Sequence, residues 1–98
     1  MSVDEAILAA RNVGLYTLVA LQDAIGSLDR VEQVVRTFGM VNAAPGFTEH
    51  PRVIDGFSNL FIDIFGEKGR GARSAVGMSS LPFNIPVEVE ITIKILVG

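Results

Sequence analysis

The sequence contains no cysteine and no tryptophan, and only one histidine and one tyrosine. Without cysteine there are no disulfides, thiolate metal sites or thiol nucleophiles, and a single histidine, His50, makes a histidine-based zinc site implausible within one chain. Basic residues are also scarce: eight Lys and Arg against eleven Asp and Glu give a formal net charge of -3. No basic stripe can then follow a phosphate backbone, and one Tyr with no Trp offers poor stacking platforms, so nucleic acid is not an expected partner. No apolar run approaches the roughly 18 residues of a membrane span, and the opening MSVDEAILAA lacks the basic region of a secretion signal. The expectation is a cytoplasmic protein with no membrane partner.

What the chain has in quantity is apolar surface. Hydrophobic residues make up 49% of 98 positions, and the mean hydropathy is +0.44. A chain of this length has room for one domain, residues 1–98, whose core only just offsets chain entropy. The apolar surplus is best accounted for as subunit interface.

Ser2-Val3-Asp4-Glu5 has the form of a capping box and predicts a helix start. Ile7, Gly14, Leu18, Leu21 and Ile25 recur at helical spacing beside a second row of Leu8, Leu15 and Val19, and Gly26 is placed to end the helix. Two apolar rows predict a helix covering a sheet, with Gly14 allowing close approach. Residues 31–43 (VEQVVRTFGMVNA) are rich in β-branched and aromatic residues and predict a strand with neither face fully polar. Ala44-Pro45-Gly46 interrupts the chain, and Pro51 suits the first turn of a second helix. Val53, Phe57, Leu60, Phe61 and Ile64 form that helix's apolar face, ending near Gly66.

Residues 67–71 are a charged, glycine-rich loop between a helix and a strand, the wrong context for a phosphate-binding fingerprint. A short strand is predicted over 72–78, a turn at Leu81-Pro82-Phe83-Asn84, and a long strand over 85–97, where Ile85, Val87, Val89, Ile91, Ile93, Ile95 and Val97 alternate with Pro86, Glu88, Glu90, Thr92 and Lys94. The order helix, strand, helix, strand, strand defines an α+β layer with two helices on one face of a sheet. Three strands are few for so much apolar surface, so the sheet edges must be paired or covered.

Few residues here carry chemistry. Arg73 opens a strand after a flexible loop, where its planar fork can bind a carboxylate in a cleft or pair with a nearby Glu at a rim. Glu88 and Glu90 share one strand face, roughly 7 Å apart; they are either an acid/base pair or the solvated side of the sheet. His50, before Pro51, is expected at a helix start rather than in catalysis. Ser74, Ser79 and Ser80 have no G-x-S-x-G elbow, which sets aside a serine hydrolase. Asp55, Asp63 and Glu67 are expected on the solvated side of the second helix.

The stretch GARSAVGMSSLPFNIPVEVEITI closely resembles the C-terminal signature of the reactive-intermediate deaminase superfamily, the Rid or YjgF-type proteins, in which an A-R-S-x-V strand, an L-P turn and an x-E-x-E strand follow one another. GSLDRVEQVVRTFGMVN and GFSNLFIDIFGE are similar to that family's central strand and second helix, so the resemblance spans essentially the whole chain, nearest to the subgroup labelled endoribonuclease L-PSP or chorismate-mutase-like. The resemblance implies a chorismate-mutase-like fold with a mixed sheet, a homotrimer with a barrel-like centre, and ligand clefts between subunits. It implies hydrolysis of 2-aminoacrylate and related enamines or imines to 2-oxo acids and ammonia, with no metal or organic cofactor. Arg73 matches the arginine that binds a substrate carboxylate, and Glu88 the glutamate that holds or activates a water.

A carboxylate-binding or interaction module without turnover is the alternative on the same scaffold, while ribonuclease activity fits poorly with the charge of -3. Two features depart from the family pattern. Relatives place about three strands before the first helix, where this sequence begins: either the chain is shortened relative to the family, or a second polypeptide supplies those strands as a partner. Ala75 stands where many members carry cysteine.

Overall fold

The computed structural model describes residues 1–97. Its elements are α1 (Val3–Ile25), β1 (Val31–Asn42), α2 (His50–Phe65), β2 (Ala72–Met78) and β3 (Val87–Ile95), in the predicted order. The capping box forms: the Ser2 hydroxyl accepts from the Glu5 amide and the Glu5 carboxylate from the Ser2 amide, both at 3.1 Å. Gly26 and Gly66 close the two helices at φ of 86° and 66°, a region glycine enters without steric cost.

The sheet runs β2-β1-β3, with β2 parallel and β3 antiparallel to the central strand. The parallel pair requires a crossover, and α2 supplies it. Strand β1 carries two register shifts against β3, between Val31 and Gln33 and between Val34 and Arg36. Each inserts one residue on β1 while β3 runs on without interruption, so the bulges belong to β1. They explain why residues 31–42 show no clean alternation. Val31, Val34, Thr37, Gly39 and Val41 face the helices, spaced by three, three, two and two.

Positions paired in register share a face. Val87, Val89, Ile91 and Ile93 of β3, with Arg73, Ala75 and Gly77 of β2, therefore lie under the helices. Glu88, Glu90, Thr92 and Lys94, with Ser74 and Val76, lie on the open face beside Phe38 and Met40. The predicted two-helix layer on one side of a mixed sheet is what forms.

The core lies between α2 and the sheet. Ile54, Phe57 and Phe61 are fully buried against Val34, Val41 and Val87, and the two phenylalanine rings stack at 4.6 Å between centroids. Each such side chain contributes about 1.5–3 kcal/mol by leaving water. The α1 contacts differ from expectation. Its buried row is Ala6, Ala10, Gly14 and Leu18, whereas Leu8, Leu15 and Val19 are 61%, 45% and 61% exposed. Gly14 makes its close approach to α2 rather than to the sheet: a Cβ there would stand 2.8 Å from Leu60 Cδ2, and one on Gly56 would run into the Ile7 carbonyl oxygen. Small residues let the two helix backbones come together, and the bulky row is left on the side of α1 that no described element covers.

Candidate functional site

The loop before β2 is pinned rather than flexible. Residues Gly66–Gly69 form one turn of 3-10 helix, and Gly69 is buried. A Cβ at Gly69 would strike the Phe61 carbonyl, and one at Gly71 the Val34 carbonyl, so the chain lies flush against both α2 and β1. The Gln33 side-chain amide adds a clamp, donating to the Arg70 carbonyl at 2.8 Å and to the Val34 carbonyl at 3.1 Å. The absence of side chains is what allows this path, and the path delivers Arg73 into register with Thr37 beneath α2.

There the Arg73 Nη1 donates to Asp55 Oδ1 at 2.6 Å and to Ser58 Oγ at 3.4 Å. The Arg73 side chain is 28% exposed and that of Asp55 47%, so the pair sits at the mouth of a cleft. A surface pair of this kind contributes about 0.2–1 kcal/mol to stability; its value lies in orienting the guanidinium. Among the described residues, neither Nε nor Nη2 of Arg73 has a partner, which leaves the outer edge of the fork free to take a carboxylate in bidentate fashion. The cleft holds roughly 210 Å³ and is lined by Thr37, Asp55, Ser58, Asn59, Arg70 and Arg73 among others. Drug-sized pockets run to roughly 300–1,000 Å³, so this one suits a small acid.

Arg73 lines a cleft and is also paired, with Asp55 rather than with the expected glutamate. Asp55, assigned by sequence to the solvated side of α2, instead meets the arginine because α2 crosses over β2. The missed residues Asp55, Ser58 and Ile62 are spaced i, i+3 and i+7, a narrow stripe along one border of the apolar face.

Glu88 lies elsewhere. It is half-buried on the open face, in register with Met40, and Glu90 is exposed in register with Phe38. Arg73 and Glu88 thus occupy the two outer strands and opposite faces of the sheet, and one chain does not bring them together. Other features of the open face are Arg36, whose guanidinium stacks 5.3 Å from the Phe38 ring and reaches Ser74 Oγ at 3.3 Å. His50 takes the first position of α2 and packs edge-on against Phe47 at 5.2 Å. The turn after β2 is fastened by Asn42, whose side-chain amide donates to Asn84 Oδ1 at 3.0 Å and to the Ile85 carbonyl at 3.1 Å. Among the described residues, no group of three or more His, Asp or Glu side chains is placed to hold a metal ion, and no helix is long and apolar enough to cross a membrane.

Two helices on one face of a three-stranded mixed sheet, ending in an L-P turn and an x-E-x-E strand, define a chorismate-mutase-like α+β layer. A family model described as "YjgF/chorismate_mutase-like, putative endoribonuclease" matches residues 1–93, and the chain belongs to that family. It is 43% identical over 96 residues to Protein TCP17 of Trypanosoma cruzi, covering 97% of this chain and 60% of that protein. The crystal structure of Atu1372 from Agrobacterium tumefaciens, of unknown function, superposes with a TM-score of 0.96 at 40% identity, covering 99% of this chain and 62% of that one. A "putative endoribonuclease" from Shewanella oneidensis MR-1 superposes with a TM-score of 0.92 at 33% identity, covering 97% and 63%. The chain spans under two thirds of the length of each.

Proposed function

We propose that the chain acts as a cofactor-free hydrolytic deaminase of reactive enamines and imines of the 2-aminoacrylate type, at a site shared between subunits of a homotrimer. The observation that supports it most is the half-hidden guanidinium of Arg73, steadied at one nitrogen by Asp55 and open along its other edge. Arg73 grips the substrate carboxylate. The enamine takes a proton from solvent at its methylene carbon to become the iminium; Glu88 of a neighbouring subunit holds a water and takes its proton as the oxygen attacks the iminium carbon. The tetrahedral aminoalcohol then collapses, expelling ammonia and leaving a 2-oxo acid. An activated iminium carbon needs little further help, and one placed acid/base group supplies about 10²–10⁴-fold.

The opposite-face placement of Arg73 and Glu88 in a single chain decides the experiment. Arg73→Ala and Glu88→Gln should each lose roughly 10²-fold or more of ammonia release from 2-aminoacrylate. Refolding the two inactive variants together should restore activity, because mixed assemblies pair an intact Arg73 with an intact Glu88 from different chains. No recovery on mixing, with both variants folded and assembled, refutes a shared site. Carboxylate binding by the wild type without ammonia release would favour a binding module, and RNA cleavage abolished by Arg73→Ala would favour an endoribonuclease.

A further inference from the structure

The group that steadies Arg73 is a carboxylate, which suits poorly a cleft that has only an anion to hold. Asp55 Oδ1 stands 2.6 Å from Arg73 Nη1, so it offsets the guanidinium charge and repels any simple acid approaching the free edge of the fork. A neutral asparagine could accept the same hydrogen bond without that repulsion. The other basic residue lining the cleft, Arg70, is turned to Glu67 at 3.3 Å and adds no net charge. What faces the cavity is therefore a dipole of zero net charge, positive at Arg73 and negative at Asp55.

We infer that Asp55 binds the nitrogen of the substrate, which makes the cleft selective for zwitterionic α-imino and α-amino acids over carboxylates in general. Asp55 commits only Oδ1 to Arg73; Oδ2 accepts no hydrogen bond among the described residues, and the side chain is half-exposed at the cleft mouth. In an α-iminium acid the nitrogen is two bonds from the carboxylate carbon. A carboxylate seated on Nε and Nη2 of Arg73 then carries its nitrogen toward the adjoining Asp55, where a charge-assisted hydrogen bond of about 2.7–2.9 Å closes the gap. Thr37, Ser58 and Asn59 line the remainder with neutral polar groups, so opposite charges are offered at these two points and nowhere else in the cavity.

For the reacting nitrogen this role rests on the deaminase proposed above. The iminium keeps its positive charge until the water oxygen adds to its carbon, and Asp55 favours that charged, electrophilic form without taking a proton from it. In the 2-oxo acid a carbonyl oxygen stands where the nitrogen was, with its lone pairs directed at the Asp55 carboxylate. A net anion then faces a net-neutral pair, and the product is held more weakly than the substrate. The same selection admits small α-amino acids as unreactive ligands of the cleft.

Three acids of matched size separate recognition of the nitrogen from recognition of the carboxylate: L-alanine, L-lactate and pyruvate. Each is titrated into the full-length chain while the amide resonances of Ser58, Asn59 and Gly71 are followed. L-Alanine should bind at least about fivefold more tightly than the other two. Asp55→Asn, which keeps an oxygen for Arg73 Nη1, should bring L-alanine down to the level of lactate and leave lactate and pyruvate bound as tightly or more so. An Asp55 that only positions Arg73 would weaken all three alike in this variant, and that result overturns the inference. So does a wild type that binds lactate as well as L-alanine, or that fails to bind L-alanine. Turnover is read separately: kcat/KM for ammonia release from 2-aminoacrylate should fall at least about tenfold in Asp55→Asn, and an unchanged value counts against the inference while leaving the deaminase intact. A wild type that prefers L-alanine yet releases no ammonia ends the deaminase proposal and leaves the zwitterion site standing.

Discussion

Substituting Gly39 by alanine tests how tightly the cleft-bearing helix is held to the sheet. Gly39 lies mid-β1 beneath α2, and a Cβ there would stand 2.5, 2.6 and 2.8 Å from Cγ1, Cδ1 and Cγ2 of Ile54. Carbon atoms settle at about 3.5–4.0 Å, so one added methyl overlaps three atoms by about 1 Å each. Ile54 is fully buried in the cluster with Phe57 and Val53, and a close-packed interior offers a displaced side chain little room. Relief must come from a strained rotamer or from lifting α2, at a cost of about 1–3 kcal/mol. For a domain of this size each kcal/mol lowers Tm by about 4–8 °C.

Ile54→Ala removes all three offending carbons and should itself cost about 2–5 kcal/mol. In the double variant the new methyl enters the space just vacated, so the two losses should fall short of their sum by at least about 1 kcal/mol. Urea unfolding of the four proteins, at unchanged slope, measures this. Additivity within about 0.3–0.5 kcal/mol would refute the packing argument. Because α2 also carries Asp55 and Ser58, the single Gly39→Ala variant should loosen the hold on Arg73 as it loses stability.

Two further outcomes are expected. The Glu5 carboxyl is held below its usual range, first by the hydrogen bond from the Ser2 backbone amide and then by that from its hydroxyl. A carboxylate lowered in the folded state stabilises at pH above its unfolded value and loses that contribution as pH falls through the folded one, so the first turn of α1 should lose amide-exchange protection on acidification below the ordinary glutamate range, and Glu5→Ala should abolish that response. Arg30 joins the end of α1 to the end of β3, donating from Nη1 to the Ile25 carbonyl at 2.8 Å and from Nε and Nη2 to that of Leu96. Arg30→Ala should cost about 1–2 kcal/mol in denaturant unfolding, with amide exchange quickening first around Leu96.

The parts of the fold legible in the sequence are those written in local chemistry. Ser2 and Glu5 announce a helix start because both ends of the reciprocal hydrogen bond lie within four residues, and the strict alternation from Val87 to Ile95 fixes which side chains lie under the helices. Strand β1 was less legible, since its bulges break the period of two and depend on the partner strand. For α1, periodicity puts Gly14 and Leu18 on the buried row, but the second row of Leu8, Leu15 and Val19 is exposed, and small Ala6 and Ala10 are buried by a close helix crossing that periodicity does not reveal. Arg73 could be singled out by type and position. Its attachment to Asp55 and its separation from Glu88 could not, because alternation orders side chains within a strand and says nothing of how one strand's faces align with another's.

The central strand has a bearing on how the chain reaches its native state. Thr37 is in register with Arg73 and with Ile91, partners 36 and 54 positions further along. Among the described residues no hairpin joins two neighbouring strands, so none of these sheet contacts can form from a short turn, and the chain must close long loops before these ladders repay the lost entropy. The helices form quickly, and the sheet must wait for distant sequence. Folding should therefore be slow for so small a molecule, with β1 waiting for partners at least 36 positions further along.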